Sequence, residues 1–265
     1  MKNILITGST DGIGKLVAIK LASEGHSVYV HGRNEGKVEK TVAEIKFSTK
    51  NENVDGFVAD LSDLDAVKRM AEEVNAKLSH IDILINNAGI FKTAEILNKD
   101  GLDLRFVVNY VAPYMLTKEL LPLLEKGTDA RIINLSSAAQ SDISYAAMIG
   151  KQRVSLNASY AMSKLALTMW SFRLAKELEK VAVIAVNPGS LLNTKMANEA
   201  YGQHWSPAEK GADILYDLAV DEAHKGVTGK YFDNDRGGYA NAHQDAYNED
   251  AINQLIDFTN KLLRN

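Results

Sequence analysis

A chain of 265 residues, 46% hydrophobic and 24% charged, is long enough to bury a large core and too apolar for a disordered or fibrous protein. A formal charge of −4 with no dense basic run argues against a nucleic-acid partner. With no cysteine there is no disulfide, no thiolate metal site and no cysteine nucleophile, and the six histidines lie without metal-ligand spacing, so no metal is expected.

Met1 and Lys2 run straight into a strand-like segment, Asn3–Thr7, with no leader pattern, and apolar runs such as Val181–Val186 are too short to span a bilayer, so a cytoplasmic protein is expected. The first strand ends in Thr7-Gly8-Ser9-Thr10-Asp11-Gly12-Ile13-Gly14, where a helix carrying Leu16, Val17, Ile19 and Leu21 begins. Glycines let a backbone turn tightly and approach a ligand, and the helix N-terminus offers free N–H groups, so a pyrophosphate fits this turn. The spacing is Gly-x-x-x-Gly-x-Gly, and on its own it is equally a tight strand–helix junction.

A second strand, Ser27–His31, leads to Gly32-Arg33-Asn34. An NAD site usually carries a carboxylate here for the ribose 2′-hydroxyl, whereas Arg33 suits a 2′-phosphate and so NADP(H) over NAD(H), unless it is a solvated surface residue. A third strand, Val54–Ala59, ends at Asp60-Leu61; Asp60 is placed to accept from an adenine amino group or to cap the turn with Ser62 and Asp63. Val67, Met70, Ala71 and Val74 then mark a helical face, and Ile81–Ile85 a fourth strand ending in Asn86-Asn87-Ala88-Gly89. A long helix is predicted from Gly101 to Glu125. Pro113 has no N–H for the carbonyl of Asn109, so a kink and a water near Asn109 are expected.

The fifth strand, Arg131–Leu135, ends in Ser136-Ser137. An irregular stretch, 138–158, follows, then a helix with Tyr160 and Lys164 one turn apart on one face. As an isolated pair they are more often surface residues, but here they lie downstream of a dinucleotide-like turn. A sixth strand, Val181–Val186, runs into Asn187-Pro188-Gly189 and a second irregular stretch, 190–206, before a seventh, Thr228–Phe232. Both stretches follow strand C-termini, where open α/β sheets bind ligands. Ile143, Tyr145, Met148 and Ile149 in the first, and Leu191, Leu192, Met196, Tyr201 and Trp205 in the second, are candidates for a mixed apolar substrate pocket, although Trp205 serves equally as core cover. Trp170 and Phe172 read as packing residues, and His204 and His224 as surface groups.

Regular β-α-β alternation predicts an α/β doubly wound, mainly parallel seven-stranded sheet with helices on both faces, a Rossmann fold. No repeat, low-complexity tract or linker divides residues 1–265, so one domain is expected.

Together these motifs resemble the short-chain dehydrogenase/reductase family of the compact kind. Thr7-Gly8 with Gly12-Ile13-Gly14 matches its cofactor turn and Asn86-Asn87-Ala88-Gly89 its structural motif. Asn109, Ser137, Tyr160 and Lys164 match its catalytic tetrad in order, and Asn187-Pro188-Gly189 with Thr194 the segment that folds over the nicotinamide. The 23-residue step from Ser137 to Tyr160, against about a dozen in many members, resembles the retinol dehydrogenase-like branch.

The resemblance implies an NADP(H)-dependent oxidoreductase acting on a carbonyl or alcohol. Tyr160 is then the general acid/base, Lys164 lowers its pKa, and Ser137 rather than Ser136 holds the substrate oxygen. Asn109's carbonyl is expected to hold a water that links the lysine to solvent. Thr7 to Gly14, Arg33, Asp60, Leu61, Asn87, Ala88, Gly89, Tyr160, Lys164, Pro188, Gly189 and Thr194 are expected at the cofactor. A homodimer or homotetramer is implied, with the helices of Asn109 and Tyr160 at one interface. The alternatives are an NADP(H) sensor without turnover, and an epimerase or dehydratase; the latter usually need a larger C-terminal domain than the about 75 residues after Gly189.

Overall fold

The computed structural model describes residues 1–202 and 204–264, the side chains of residues 199–201 excepted. One sheet runs in the order β3-β2-β1-β4-β5-β6-β7-β8. Its strands are β1 Asn3–Ile6, β2 Ser27–Gly32, β3 Val54–Val58, β4 Ile83–Asn86, β5 Ala130–Leu135, β6 Val181–Asn187, β7 Lys230–Asp233 and β8 Gly238–Ala240. The first seven are parallel, as the alternation requires; β8 is a short antiparallel addition paired to β7 from Asp233↔Gly238 to Tyr231↔Ala240. Its three residues with a glycine offer too little pattern to be read from sequence.

The helices are α1 Gly12–Ser23, α2 Glu35–Thr49, α3 Leu64–Lys77, α4 Leu104–Phe106, α5 Ala112–Leu124, α6 Tyr145–Met148, α7 Leu156–Glu177, α8 Lys195–Tyr201, α9 Ala208–Val220 and α10 Glu249–Leu262. Strand alternation divides the core between the two faces. Ile4, Ile6, Ile83, Ile85, Ile133 and Ile184 pack with α1, α2 and α9. Leu5, Leu84, Ile132, Val183 and Ala185 pack with α3, α5, α7 and α10. Trp170 and Phe172 are buried in this second cluster, as packing residues should be.

The helix predicted from Gly101 starts later, at Leu104, because Asp103 caps it by accepting from Arg105 N–H. It passes through a π-helical turn, Val107–Val111, in which Ala112 N–H bonds the Val107 carbonyl. The regular ladder is thus already interrupted at Asn109, one turn before the proline that cannot donate.

α10 lies across α5 and α7. Ile252, Leu255 and Thr259 are buried there. Tyr110 Oη pairs with Thr259 Oγ1 at 2.7 Å, Tyr114 Oη donates to Asn260 Oδ1 at 2.7 Å, and Arg173 Nη1 donates to Asn253 Oδ1 at 3.0 Å. Among the described residues no helix is long and apolar enough to cross a membrane.

Candidate active site

β1 lies between β2 and β4, so the chain reverses direction across the sheet at the β1/β4 edge, where a crevice opens at the strands' C-terminal ends. The turn after β1 is packed there against the turn after β4. Thr7 Oγ1 accepts from Ala88 N–H at 3.0 Å, and Asn87 Nδ2 donates to the carbonyls of Thr7 and Gly8 at 2.8 and 2.9 Å. A Cβ on Gly8 would stand 2.7 Å from Ala88 Cα, and one on Gly14 2.4 Å from Asn87 Nδ2. These two glycines therefore serve protein packing. Gly12, at φ +54, faces only Thr194, whose Cγ2 is 3.8 Å from a Cβ position; here the turn offers bare backbone.

The remaining residues of the turn divide by role. Ser9 is buried, donating to the Ile6 carbonyl at 2.7 Å and accepting from His31 N–H at 2.9 Å. Asp11 caps α1 through Gly12 N–H at 2.7 Å. Thr10 packs on Gly32, where a Cβ would come within 2.6 Å of its methyl. His31 is buried at the end of β2. Its Nδ1 accepts from Gly8 N–H at 3.0 Å and its Nε2 faces the Ala59 carbonyl at 3.0 Å, which defines the neutral tautomer with the proton on Nε2. Burial drives its pKa down to about 4. The sequence placed His31 in a strand and offered no signal for this contact, which exists only once β2 and β1 are paired.

Arg33 is exposed just beyond β2, next to Asn34, the cap of α2. Asp60 is exposed and closes a turn by accepting from Ser62 N–H and Oγ at 2.9 and 2.7 Å, while Leu61 is buried in the core. These three lie on the β2–β3 side of the crevice and do not line the cavity described next.

That cavity, of about 330 Å³, is lined by Ile13, Ser137, Tyr160, Pro188, Gly189 and Thr194 among others, bringing together residues from four regions of the chain. Ser136 and Ser137 both border the cavity but differ in burial. Ser136 is buried with its Oγ 2.6 Å from Thr168 Oγ1, whereas Ser137 is half-buried and its carbonyl is held by Tyr231 Oη at 3.0 Å and Gln140 Nε2 at 2.9 Å. Tyr160 stands edge-on to Phe91, ring centroids 5.2 Å apart.

Behind it, Lys164 is buried, its Nζ donating to the Leu135 carbonyl at 2.6 Å and lying 5.6 Å from the Tyr160 ring centroid. Burial lowers its pKa to about 7. A Cβ on Gly89 would lie 3.4 Å from both Lys164 Nζ and Asn109 Oδ1, so the glycine marks where these groups meet. The Asn109 side chain is fully buried and clamps Ile90: Oδ1 accepts its N–H at 2.8 Å and Nδ2 donates to its carbonyl at 3.0 Å.

The two irregular stretches contribute unequally. From 138–158 only Ala138 and Ala139 line the cavity. Tyr145 packs on Phe258 and Met148 is fully buried in the core, so the expectation that Ile143, Tyr145, Met148 and Ile149 shape the pocket is not met. From the second stretch Leu191, Leu192 and Met196 do line it; Trp205 is 73% exposed and points elsewhere, and the Tyr201 side chain lies outside the described residues. Leu191 sits at φ +46, unusual for a branched residue and a local strain beside the cavity.

Asp235, not singled out from sequence, anchors the cover. Its carboxylate accepts from Ser190 N–H at 2.9 Å, Ser190 Oγ at 2.5 Å and Asn187 Nδ2 at 2.9 Å, hydrogen bonds that hold its pKa below the usual carboxylate value against burial.

The sequence model of the short chain dehydrogenase family matches residues 2–204. The chain is 33% identical to retinol dehydrogenase 12 of Mus musculus over 243 residues, covering 87% of this chain and 77% of that one. The short-chain dehydrogenase of Shigella flexneri superimposes with a TM-score of 0.73 at 28% identity, over 91% of this chain and 94% of that one. The Pseudomonas aeruginosa RhlG/NADP active-site complex superimposes with 0.71 at 26% identity, over 88% and 94%. On its motifs, its fold and these matches, the chain belongs to the short-chain dehydrogenase/reductase family, in its retinol dehydrogenase-like branch.

Proposed function

We propose that this chain is an NADP(H)-dependent oxidoreductase that interconverts a carbonyl and an alcohol, with Tyr160 as general acid/base. The observation that carries this reading is the convergence of Tyr160, Ser137, Pro188, Gly189 and Thr194 on one cavity with the buried Lys164 amine behind it. The Gly12 turn supports a dinucleotide: backbone faces the crevice at the start of α1, where unpaired N–H groups and the helix dipole favour a pyrophosphate. Arg33, exposed beyond β2, is the group proposed to grip a 2′-phosphate. The bound nicotinamide supplies or receives the hydride.

The chain's own residues manage the proton. Ser137 holds the substrate oxygen as charge develops on it. Tyr160 Oη gives that oxygen a proton in reduction and takes one in oxidation. Lys164, depressed to about 7 by burial, carries its charge most readily when an anion stands near, and a Tyr160 phenolate is such an anion. Asn109 braces the Ile90 backbone beside the lysine, and its carbonyl, in the interrupted stretch of helix, is the proposed seat of a water leading to solvent. The continuous sheet supports treating residues 1–265 as one cofactor-binding domain. For a homodimer or homotetramer, α10, lying across α5 and α7, takes up part of the outer faces that the helices of Asn109 and Tyr160 would offer a partner copy.

Titration with NADPH and with NADH, followed by nicotinamide fluorescence and then by a panel of ketones, aldehydes and quinones, tests the reading. NADPH should bind about ten- to a hundredfold more tightly than NADH, and Arg33→Ser should abolish the difference. Tyr160→Phe should lower kcat by about 10²–10⁴-fold with NADPH binding retained. Equal affinities would remove Arg33 from its role. Binding without turnover on any compound would favour a sensor.

A further inference from the structure

We propose that Gln140 and Tyr231 are positioning residues for Ser137, two side-chain donors that clamp its carbonyl and so aim its hydroxyl at the substrate oxygen. The inference rests on the proposed reaction, in which Ser137 holds that oxygen.

Ser137 stands where the sheet no longer holds the chain. The β5 ladder ends at Leu135↔Val186 with β6 and at Asn86↔Asn134 with β4. Beyond a ladder the backbone polar groups must find other partners. The Ser137 carbonyl takes two, Tyr231 Oη at 3.0 Å and Gln140 Nε2 at 2.9 Å, so both of its lone pairs are used. The donors come from separate elements. Tyr231 is buried in β7, two strands from β5, and Gln140 lies three residues further along the irregular stretch.

Gln140 is itself held. Its Oε1 accepts from His243 N–H at 3.2 Å, and His243 begins the turn before α10, its Nδ1 accepting from Asp245 N–H at 3.3 Å. An amide donates to a carbonyl and accepts from an N–H at once, and these two neighbours fix which way round it lies. On the other side Ser137 Oγ accepts from Ala139 N–H at 3.1 Å. That bond occupies an Oγ lone pair and leaves the hydroxyl to donate into the cavity that Ser137 lines. With its carbonyl and its Oγ both tied, Ser137 has little room to turn. Neither Gln140 nor Tyr231 lines the cavity, so each acts through Ser137. A donor aimed at developing charge loses most of its effect when displaced by about 1 Å.

Substitutions at the two donors test this at about pH 8, where a carboxyl placed at position 140 is ionised. Gln140→Glu keeps the shape and the His243 contact but can only accept; Tyr231→Phe removes one hydroxyl. With NADPH and benzaldehyde, each should lower kcat about tenfold and the two together about a hundredfold, toward the loss of about 10²–10³ expected for Ser137→Ala. NADPH affinity and the thermal midpoint should change little. In the Ser137→Ala background the same substitutions should lower kcat by less than about twofold, because the hydroxyl they aim is gone. Exchange of the Ala139 amide, followed by NMR without substrate, should be about tenfold faster in either variant. If one variant fails to fold, the other decides. Unchanged kcat, a loss that persists in Ser137→Ala, or an equal loss of NADPH affinity would each overturn the proposal. Where the parent chain turns over no carbonyl compound, the proposed reaction fails and the Ala139 amide decides the clamp alone: unaltered exchange overturns it, and faster exchange retains it.

Discussion

The stretches 138–158 and 190–206 look alike in sequence, each following a strand end and mixing apolar with polar residues, yet they become different kinds of structure. The first is built into the frame. Met148 is fully buried, Tyr145 stacks on Phe258 of α10, Asp142 Oδ1 faces His243 Nε2 at 3.4 Å, and Gln140 holds both the Ser137 carbonyl and His243 N–H. The second lies over the cavity, tied by Asp235 to Ser190 and Asn187 and presenting Leu191, Leu192 and Met196 to the space beneath. An apolar side chain in an irregular segment thus becomes core or pocket according to what packs against it, and here α10 makes the difference.

Substitutions that separate stability from binding sharpen this contrast. The largest effect belongs to the frame: Met148→Ala should cost about 2–5 kcal/mol in denaturant unfolding while leaving KM for a carbonyl substrate nearly unchanged. A KM shift without loss of stability would place Met148 in the pocket instead.

The next effect lies at the paired ends of β1 and β2, where His31 accepts from Gly8 N–H. Folding keeps His31 neutral down to about pH 4, whereas unfolded histidine takes a proton near 6.5. Between those values the unfolded state binds more protons, so stability falls as pH falls, by about 3 kcal/mol in all. The loss should be absent above pH 6.5 and missing from His31→Asn in chemical unfolding followed across the range. An identical pH dependence in both proteins would remove His31 from the account.

The smallest effect belongs to the cover. Met196→Ala should raise KM for an apolar ketone or aldehyde by about tenfold, with the thermal midpoint little changed. A drop in the midpoint comparable to that of Met148→Ala would erase the distinction between the two stretches.

Much of the fold was legible because parallel strands buried on both faces leave unmistakable apolar runs separated by helical periodicity. β1 to β7 lie within a few residues of their predicted places; β8 was too short to leave a pattern. The turn motif, Asn87 and the Tyr160/Lys164 spacing were legible because each depends on local backbone chemistry or on spacing along one helix, whereas Ser137 was distinguished from Ser136 only by the family resemblance. The His31–Gly8, Asp235–Ser190 and Arg105–Phe91 contacts join residues 23, 45 and 14 positions apart, and nothing in local composition marks them.

By itself the sequence determined the layering of the sheet, the expectation of a ligand at the C-terminal ends of its strands and the residue types offered there. These follow from periodicity, glycine placement and chain order, all local properties. The tertiary structure alone decided that Ser136 is buried against Thr168 while Ser137 stays half-exposed, that Gly8 and Gly14 serve packing while Gly12 stays open, that the first irregular stretch joins the core, and that α10 lies across α5 and α7. Each of these depends on which distant surface reaches a side chain first, and burial, unlike periodicity, is a property of the assembled molecule.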